Sequence, residues 1–370
     1  MNISITGIGG ISAAGSDPQE VWRTYTEGPA RWVMDPSIHL PVYRAQLPSH
    51  AGIEAFSAEQ DLDRATLLAL YAADRAVEHA GWRGEDFSVL VGSSRGPTMS
   101  WEAGYEQFAG AGRVGPRTSP ATTLGSIGFG LGAYFSSASL ASSLSVTCSS
   151  GLHALLHGVA LLRAGMASRV LVGGAEAPLT PFTLRQMEAL RIYAVPPEDD
   201  CLPVCRPLAQ PPTGMVVGEG AAFLALELDS APPPIARITG LAFAREVAGS
   251  PTGITPTGEG LQKTMREAAA TAGKSPDLII AHAPGTRRGD AAELFAIRKV
   301  FGPDQAVTSG KWATGHTFGA SGPLALELAI AILRAGDAAG LAYLPGGKGV
   351  RSVLVNATGF GGNVVSVFLE

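Results

Sequence analysis

Cys148 is the residue from which a chemistry can be built. It lies in Ser145-Val146-Thr147-Cys148-Ser149-Ser150-Gly151, between an apolar run and a segment of helical periodicity. That position sets a thiol at a helix N-terminus, where unpaired N–H groups and the helix dipole favour thiolate. The same N–H groups could hold an oxyanion once the thiol is acylated. Two histidines stand in comparable settings. His282 closes the apolar run Leu278 to Ala281 and opens Ala283-Pro284-Gly285-Thr286, a strand end leading into a turn, where α/β proteins present functional side chains. His316 lies in Lys311-Trp312-Ala313-Thr314-Gly315-His316-Thr317-Phe318-Gly319, just before a second apolar helix. Cys148 alone reads more readily as a structural cysteine, and either imidazole alone as a hydrogen-bonded structural histidine. The three together read better as a catalytic set.

The elements that must position them are duplicated. SGLHALLHGVALLRAG, from Ser150 to Gly165, and SGPLALELAIAILRAG, from Ser321 to Gly336, share nine of sixteen positions without a gap. Both have helical apolar spacing and end in Arg-Ala-Gly, a basic last turn before a helix stop. Weaker echoes keep the same order. Ile5-Thr6-Gly7-Ile8 matches Ile238-Thr239-Gly240-Leu241, each expected at the end of a short strand. A helix closing on Ala80-Gly81 matches one closing on Ala272-Gly273, and the strand Ser88–Val91 matches Leu278–Ala281. Fixed-order self-similarity indicates a repeated unit, here an α/β half running strand, helix, strand, helix, strand with mostly parallel sheet. The first half is residues 1–230 and holds the nucleophile. The second is 231–370 and holds both histidines, with Pro232-Pro233-Pro234 as the joint. The repeat aligns Gly319 with Cys148, so a pseudo-twofold axis would bring both loops to one site.

Composition narrows the field. With 46% apolar and 16% charged residues the 370-residue chain must bury most of its length. A net charge of −5 without a basic block gives no field for nucleic acid. Met1 runs straight into an apolar strand, so no secretory signal is expected. Thr123–Val146 is too weakly apolar for a membrane span and reads as packed core or an interface. Three cysteines make no disulfide framework, which suits a reducing cytoplasm. Cys201 and Cys205 lack nearby histidines, so no metal site is expected. The segment Gly7–Gly15 lacks the full dinucleotide fingerprint, and no cofactor is expected. Gly218-Glu219-Gly220 and Gly359-Phe360-Gly361-Gly362 read as tight turns beside a cleft.

These pieces, in this order, resemble the decarboxylating β-ketoacyl-(acyl carrier protein) synthases of the thiolase superfamily, elongating type. The resemblance spans Ile5-Thr6-Gly7 to Gly359-Phe360-Gly361-Gly362-Asn363 and includes Thr147-Cys148-Ser149-Ser150-Gly151, Gly173-Gly174-Ala175-Glu176, Gly218-Glu219-Gly220-Ala221, His282-Ala283-Pro284-Gly285-Thr286 and Lys311 to His316. One cysteine with two histidines matches the elongating members rather than initiating synthases or degradative thiolases. The resemblance implies a thiolase-like fold, two duplicated halves forming a five-layered α-β-α-β-α core.

It further implies that Cys148 carries an acyl chain taken from phosphopantetheine, and that His282 and His316 stabilise the enolate left when a malonyl thioester loses carbon dioxide. The N–H groups of Cys148 and Phe360 would form the oxyanion hole. Lys311 would set the charge around the histidines with Glu293 as its partner. Phe360 would gate the acyl and malonyl pockets, and Thr286 with Gly361 would contact substrate. The implied partners are an acyl carrier protein bearing acyl- or malonyl-phosphopantetheine, met near Arg287 and Arg288, and a second ketosynthase-like chain in a homo- or heterodimer. Departures from the family pattern are Thr147, Pro284, the segment Leu208–Met215, and the missing threonine between Gly362 and Asn363. The alternatives are a chain-length-factor-like partner with little activity of its own, or an acyltransferase that does not condense.

Overall fold

The computed structural model describes residues 2–28, 31–196, 203–228, 233–247, 249, 253–340, 344 and 346–370. Cys201 and Pro232 lie outside the described residues. The first half contributes strands β1 (Ile3–Ser12), β2 (Ser88–Gly92), β3 (Ala141–Leu144), β4 (Arg169–Glu176) and β5 (Gly220–Leu228). The second contributes β6 (Ala236–Arg245), β7 (Leu278–Ile280), β8 (Val307–Thr308), β9 (Val353–Thr358) and β10 (Asn363–Leu369). Their order is β8-β7-β9-β10-β6-β1-β5-β4-β2-β3. Read from each outer edge inward, both halves run third, second, fourth, fifth, first. The duplication read from two helices therefore extends to the whole topology.

Among the described residues the strands of the two halves pair at Ile3↔Ile238, Ser4↔Arg237 and Ile5↔Ala236, and the sheets then diverge around a central helical layer. The helices used below are α1 (Arg64–Ala80), α2 (Thr98–Ala111), α3 (Ser126–Tyr134), α4 (Ser150–Arg163), α5 (Pro181–Ala189), α6 (Glu259–Ala272), α7 (Arg287–Phe301) and α8 (Ser321–Ala335). The repeated segments are α4 and α8, packed on each other between the sheets. Strand periodicity assigns the faces. Val170, Val172, Leu278, Ile280, Val353 and Val355 point into this central core with Leu152 and Leu326. Leu171 points outward under α1, and Ile279 and Leu354 point outward under α6 and α7. The result is the five-layered thiolase-like arrangement. The segment Phe318–Ala335 is long and apolar enough to cross a membrane by composition, but 67% of it is buried between the sheets.

Several local expectations need correcting. The sheet is mixed: β2 is parallel to β3 and β4, whereas β5 is antiparallel to β4 and to β1, and the second half repeats this. A short turn from Thr358 to Asn363 makes β9 and β10 a hairpin, which parallel strands could not form. Ile5-Thr6-Gly7 and its echo lie inside ten-residue strands rather than at strand ends. The Gly7–Gly10 glycines serve packing: a Cβ on Gly9 would stand 2.3 Å from the Ala72 carbonyl of α1. Thr123–Val146 is packed core only in part, through the fully buried Ile127 and Leu131. It holds α3 and the edge strand β3, whose four residues are all only partly buried.

Candidate active site

Strand β3 leads into the nucleophile turn, where hydroxyls replace missing ladder bonds. Val146 N donates to Ser150 Oγ (2.8 Å), Ser150 Oγ to Thr147 O (2.6 Å) and Ser149 Oγ to Val146 O (2.9 Å). Thr147 is held at φ 50°, a left-handed conformation that costs a β-branched residue energy and tends to occur at functional sites. Cys148 follows it, one residue before the N-cap Ser149 of α4, with 8% of its surface exposed. The expected lowering of the thiol pKa is not found. Burial pushes it up to about 12, the charge of Glu176 adds to this, and Lys311 and Arg95 oppose it more weakly. Desolvation of a thiolate outweighs the helix-end contribution, so the resting group is a thiol.

His316 arrives from the other half. Val217 pairs with it across a short bridge: His316 N donates to Val216 O (2.7 Å) and Gly218 N to His316 O (3.1 Å). Gly218 is therefore extended strand rather than a tight turn, and it is glycine because a Cβ there would lie 2.0 Å from the Thr314 carbonyl. Nε2 of His316 lies 3.2 Å from Sγ of Cys148, and Nδ1 lies 3.2 Å from Oγ of Ser321. The His282 ring stands edge-on to His316 with centroids 5.3 Å apart. Among the described residues, no hydrogen bond engages the His282 ring. Burial first, then the charge of Lys311, depresses both imidazoles, His316 to about 3 and His282 well below its ordinary value. Both are neutral near pH 7.

Lys311 and Glu293 act on the backbone of His282. Nζ of Lys311 donates to the His282 carbonyl. Glu293 accepts from His282 N (2.9 Å), Ala283 N (2.7 Å) and Asn356 Nδ2 (3.1 Å). No ion pair within 4 Å joins Lys311 to Glu293 among the described residues; the two clamp the His282 backbone from either side, with the charge of each acting on the other. Burial lowers the Lys311 pKa and raises that of Glu293.

A cavity of about 1000 Å³ opens onto Cys148, His282 and His316. Thr286, Arg287, Arg288 and Phe360 line it, as does Glu293; Lys311 and Gly361 do not. Gly361 sits at φ 85° in the turn behind Phe360, where its carbonyl accepts from Arg245 Nε (3.0 Å). Thr147 Oγ1 donates to Phe360 O at 3.4 Å, tying the nucleophile turn to the Phe360 loop. Sequence reading missed three participants. Ser321 was seen only as part of a helix start. Glu176, from a framework motif, is fully buried and accepts from Ser94 N and from Gly319 N (3.2 Å), joining the two halves beneath the site. Arg95 carried no motif at all. A polar residue three to five positions after a site histidine was the available signal for Ser321.

Residues 1–231 match the family described as "Beta-ketoacyl synthase, N-terminal domain", and residues 235–341 match "Beta-ketoacyl synthase, C-terminal domain". Nodulation protein E of Rhizobium leguminosarum bv. trifolii is 30% identical, over 90% of this chain and 86% of that protein. The 3-oxoacyl-[acyl-carrier-protein] synthase 2 of Staphylococcus aureus (strain N315) is 30% identical, over 86% and 82%. The ishigamide ketosynthase/chain length factor superposes with a TM-score of 0.87 at 22% identity, covering 100% of this chain and 98% of the other.

Proposed function

The chain belongs to the β-ketoacyl synthase family, and we propose that it is an elongating 3-oxoacyl-(acyl carrier protein) synthase with Cys148 as nucleophile. The observation that carries this reading is the convergence of three side chains from opposite halves: Nε2 of His316 lies 3.2 Å from the Cys148 sulfur, with the His282 ring alongside.

In the first step Sγ of Cys148 attacks an acyl-phosphopantetheine thioester. The new C–S bond forms, the old one breaks, and the thiol proton leaves with the pantetheine sulfur. The buried thiol needs an acceptor in passing, and Nε2 of neutral His316 is in reach. The oxyanion is held by the N–H groups of Cys148 and Phe360. A malonyl thioester then replaces the freed carrier. Its C–C bond to the carboxylate breaks, carbon dioxide departs, and the electron pair moves onto the thioester oxygen. His282 and His316 donate hydrogen bonds to that enolate, as neutral imidazoles can. The enolate carbon attacks the acyl carbonyl, the C–C bond forms, and Cys148 leaves as thiolate and regains a proton.

Lys311 and Glu293 hold the His282 backbone in register for this. Thr286 contacts the pantetheine arm, and Phe360, with Gly361 as its hinge, gates the acyl and malonyl pockets. The partners are an acyl carrier protein, met near Arg287 and Arg288, and a second ketosynthase-like chain. The decisive experiment is intact mass spectrometry of the protein incubated with acyl-carrier donors. An adduct on Cys148 that is absent in Cys148→Ala is expected, with malonyl decarboxylation surviving in the variant; no adduct from any donor sinks the reading.

A second reading, a partner subunit like a chain length factor, is motivated by the departure of Leu208–Met215 from the family pattern and by the superposition on the ishigamide ketosynthase/chain length factor. Purified alone, such a subunit would not acylate.

A further inference from the structure

Arg95 places a guanidinium in the wall beside the nucleophile, where its charge acts on Cys148 and on the buried Glu176. The turn that carries it is fixed from both sides: Ser93 Oγ accepts from Gly96 N (3.0 Å), and Ser94 N donates to the buried Glu176. The guanidinium carbon stands 5.3 Å over the Phe318 ring. Phe318 in turn packs 5.1 Å from the His316 ring. Nη1 of Arg95 donates to Gln186 Oε1 at 2.8 Å. Among the described residues no carboxylate pairs with Arg95, and that one bond uses one of the five N–H donors a guanidinium has.

Arg95 lines the Cys148 cavity together with Trp101, Phe182, Met187, Leu190 and Phe318. A saturated acyl chain laid along this wall would strip water from the guanidinium and return nothing to it. A chain carrying an oxygen would return a charge-assisted hydrogen bond. Holding the malonyl carboxylate is the wrong use for this cation, because a group that stabilises that carboxylate before it departs opposes decarboxylation.

We propose that Arg95 is a specificity-determining residue that selects acyl groups bearing a keto or hydroxyl oxygen a few carbons from the thioester over saturated chains of equal length. The proposal rests on acyl capture by Cys148. The chemistry it modulates is the transfer already described, in which the acyl carbon exchanges the pantetheine sulfur for Cys148 Sγ.

The test is single-turnover acylation of the full chain by hexanoyl, 3-oxohexanoyl and 5-oxohexanoyl thioesters of phosphopantetheinylated carrier, read by intact mass. At least one oxo donor should react about tenfold faster than hexanoyl, the scale of one hydrogen bond to a charged group. In Arg95→Met the ratio should fall to about one, and Arg95→Lys should keep part of it. Each ratio is taken within one protein, so a loss of stability in a variant cancels. Adducts that form with hexanoyl favoured in the wild type, or a ratio unchanged in Arg95→Met, overturn the role of Arg95 and leave acyl capture standing. No adduct from any donor overturns both.

Discussion

The Ser321 hydroxyl lies 3.2 Å from Nδ1 of His316 and also 3.1 Å from Thr317 Oγ1. A hydroxyl both donates and accepts, so Ser321 supports either tautomer of the ring. With the proton on Nδ1, Nε2 can take the thiol proton; with it on Nε2, the ring can donate to an oxyanion. Ser321→Ala is expected to slow condensation about tenfold through loss of one hydrogen bond. Ser321→Thr should restore most of the rate. Steady-state assays with acyl and malonyl carriers check this, and an alanine variant at full rate would remove Ser321 from the mechanism.

Lys311 depresses the His282 pKa through its charge, after burial. In the wild type His282 is therefore neutral well below pH 6.5, and decarboxylation should show no acid limb near that value. Lys311→Met removes a positive neighbour, so the imidazolium becomes easier to form and the His282 pKa rises. Carbon dioxide release from malonyl carrier, followed from pH 5 to 8, should then acquire an acid limb in the variant and stay level in the wild type. Identical profiles would show that the Lys311 charge does not reach His282.

The sequence carried the triad because each member sits in a motif whose local geometry can be read: a turn before an apolar helix, or a strand end before a glycine. It carried the duplicated fold because α4 and α8 repeat nearly residue for residue. The thiol pKa could not be read this way, since Cys148 is packed by Phe318 and His316 and feels the charge of Glu176, all distant in the chain. Glu293 was implied as the partner of Lys311 by the family resemblance, and it is the backbone amides of His282 and Ala283 that reach its carboxylate. Local spacing does not show which of several buried donors will arrive. The segment Thr123–Val146 looked like core because small apolar residues dominate it; Ile127 and Leu131 are buried as expected, while its strand forms the sheet edge and stays only partly buried.

Glu176 has one oxygen that accepts from Ser94 and Gly319, and the whole carboxylate is buried. Burial raises its pKa from 4.5 to about 7. Between those values the unfolded chain has released the proton while the folded chain keeps it. Stability is therefore fully present below pH 4.5 and falls as pH rises through 7, by up to about 3 kcal/mol from this group. Glu176→Gln keeps the accepting oxygen and cannot ionise. Denaturant titrations at pH 5 and pH 8 should show a smaller drop for the variant than for the wild type; equal drops would place the titration elsewhere.

Helix α2 turns an aromatic face to solvent, with Met99 45%, Trp101 54%, Tyr105 59% and Phe108 53% exposed. Trp101 and Tyr105 stack with centroids 6.0 Å apart and planes 10° apart. A contiguous aromatic face of this kind marks an association surface. Strand β3 leaves a sheet edge open, and an unpaired edge is a template for a second chain. Trp101 also lines the Cys148 cavity, so whatever covers α2 also roofs that cavity. A homodimer is therefore expected at micromolar concentration, and Trp101→Glu with Tyr105→Lys should dissociate it and slow acylation of Cys148 together. Sedimentation velocity alongside the acylation assay separates the cases. A wild-type monomer that acylates at full rate would show that the aromatic face serves neither assembly nor the cavity.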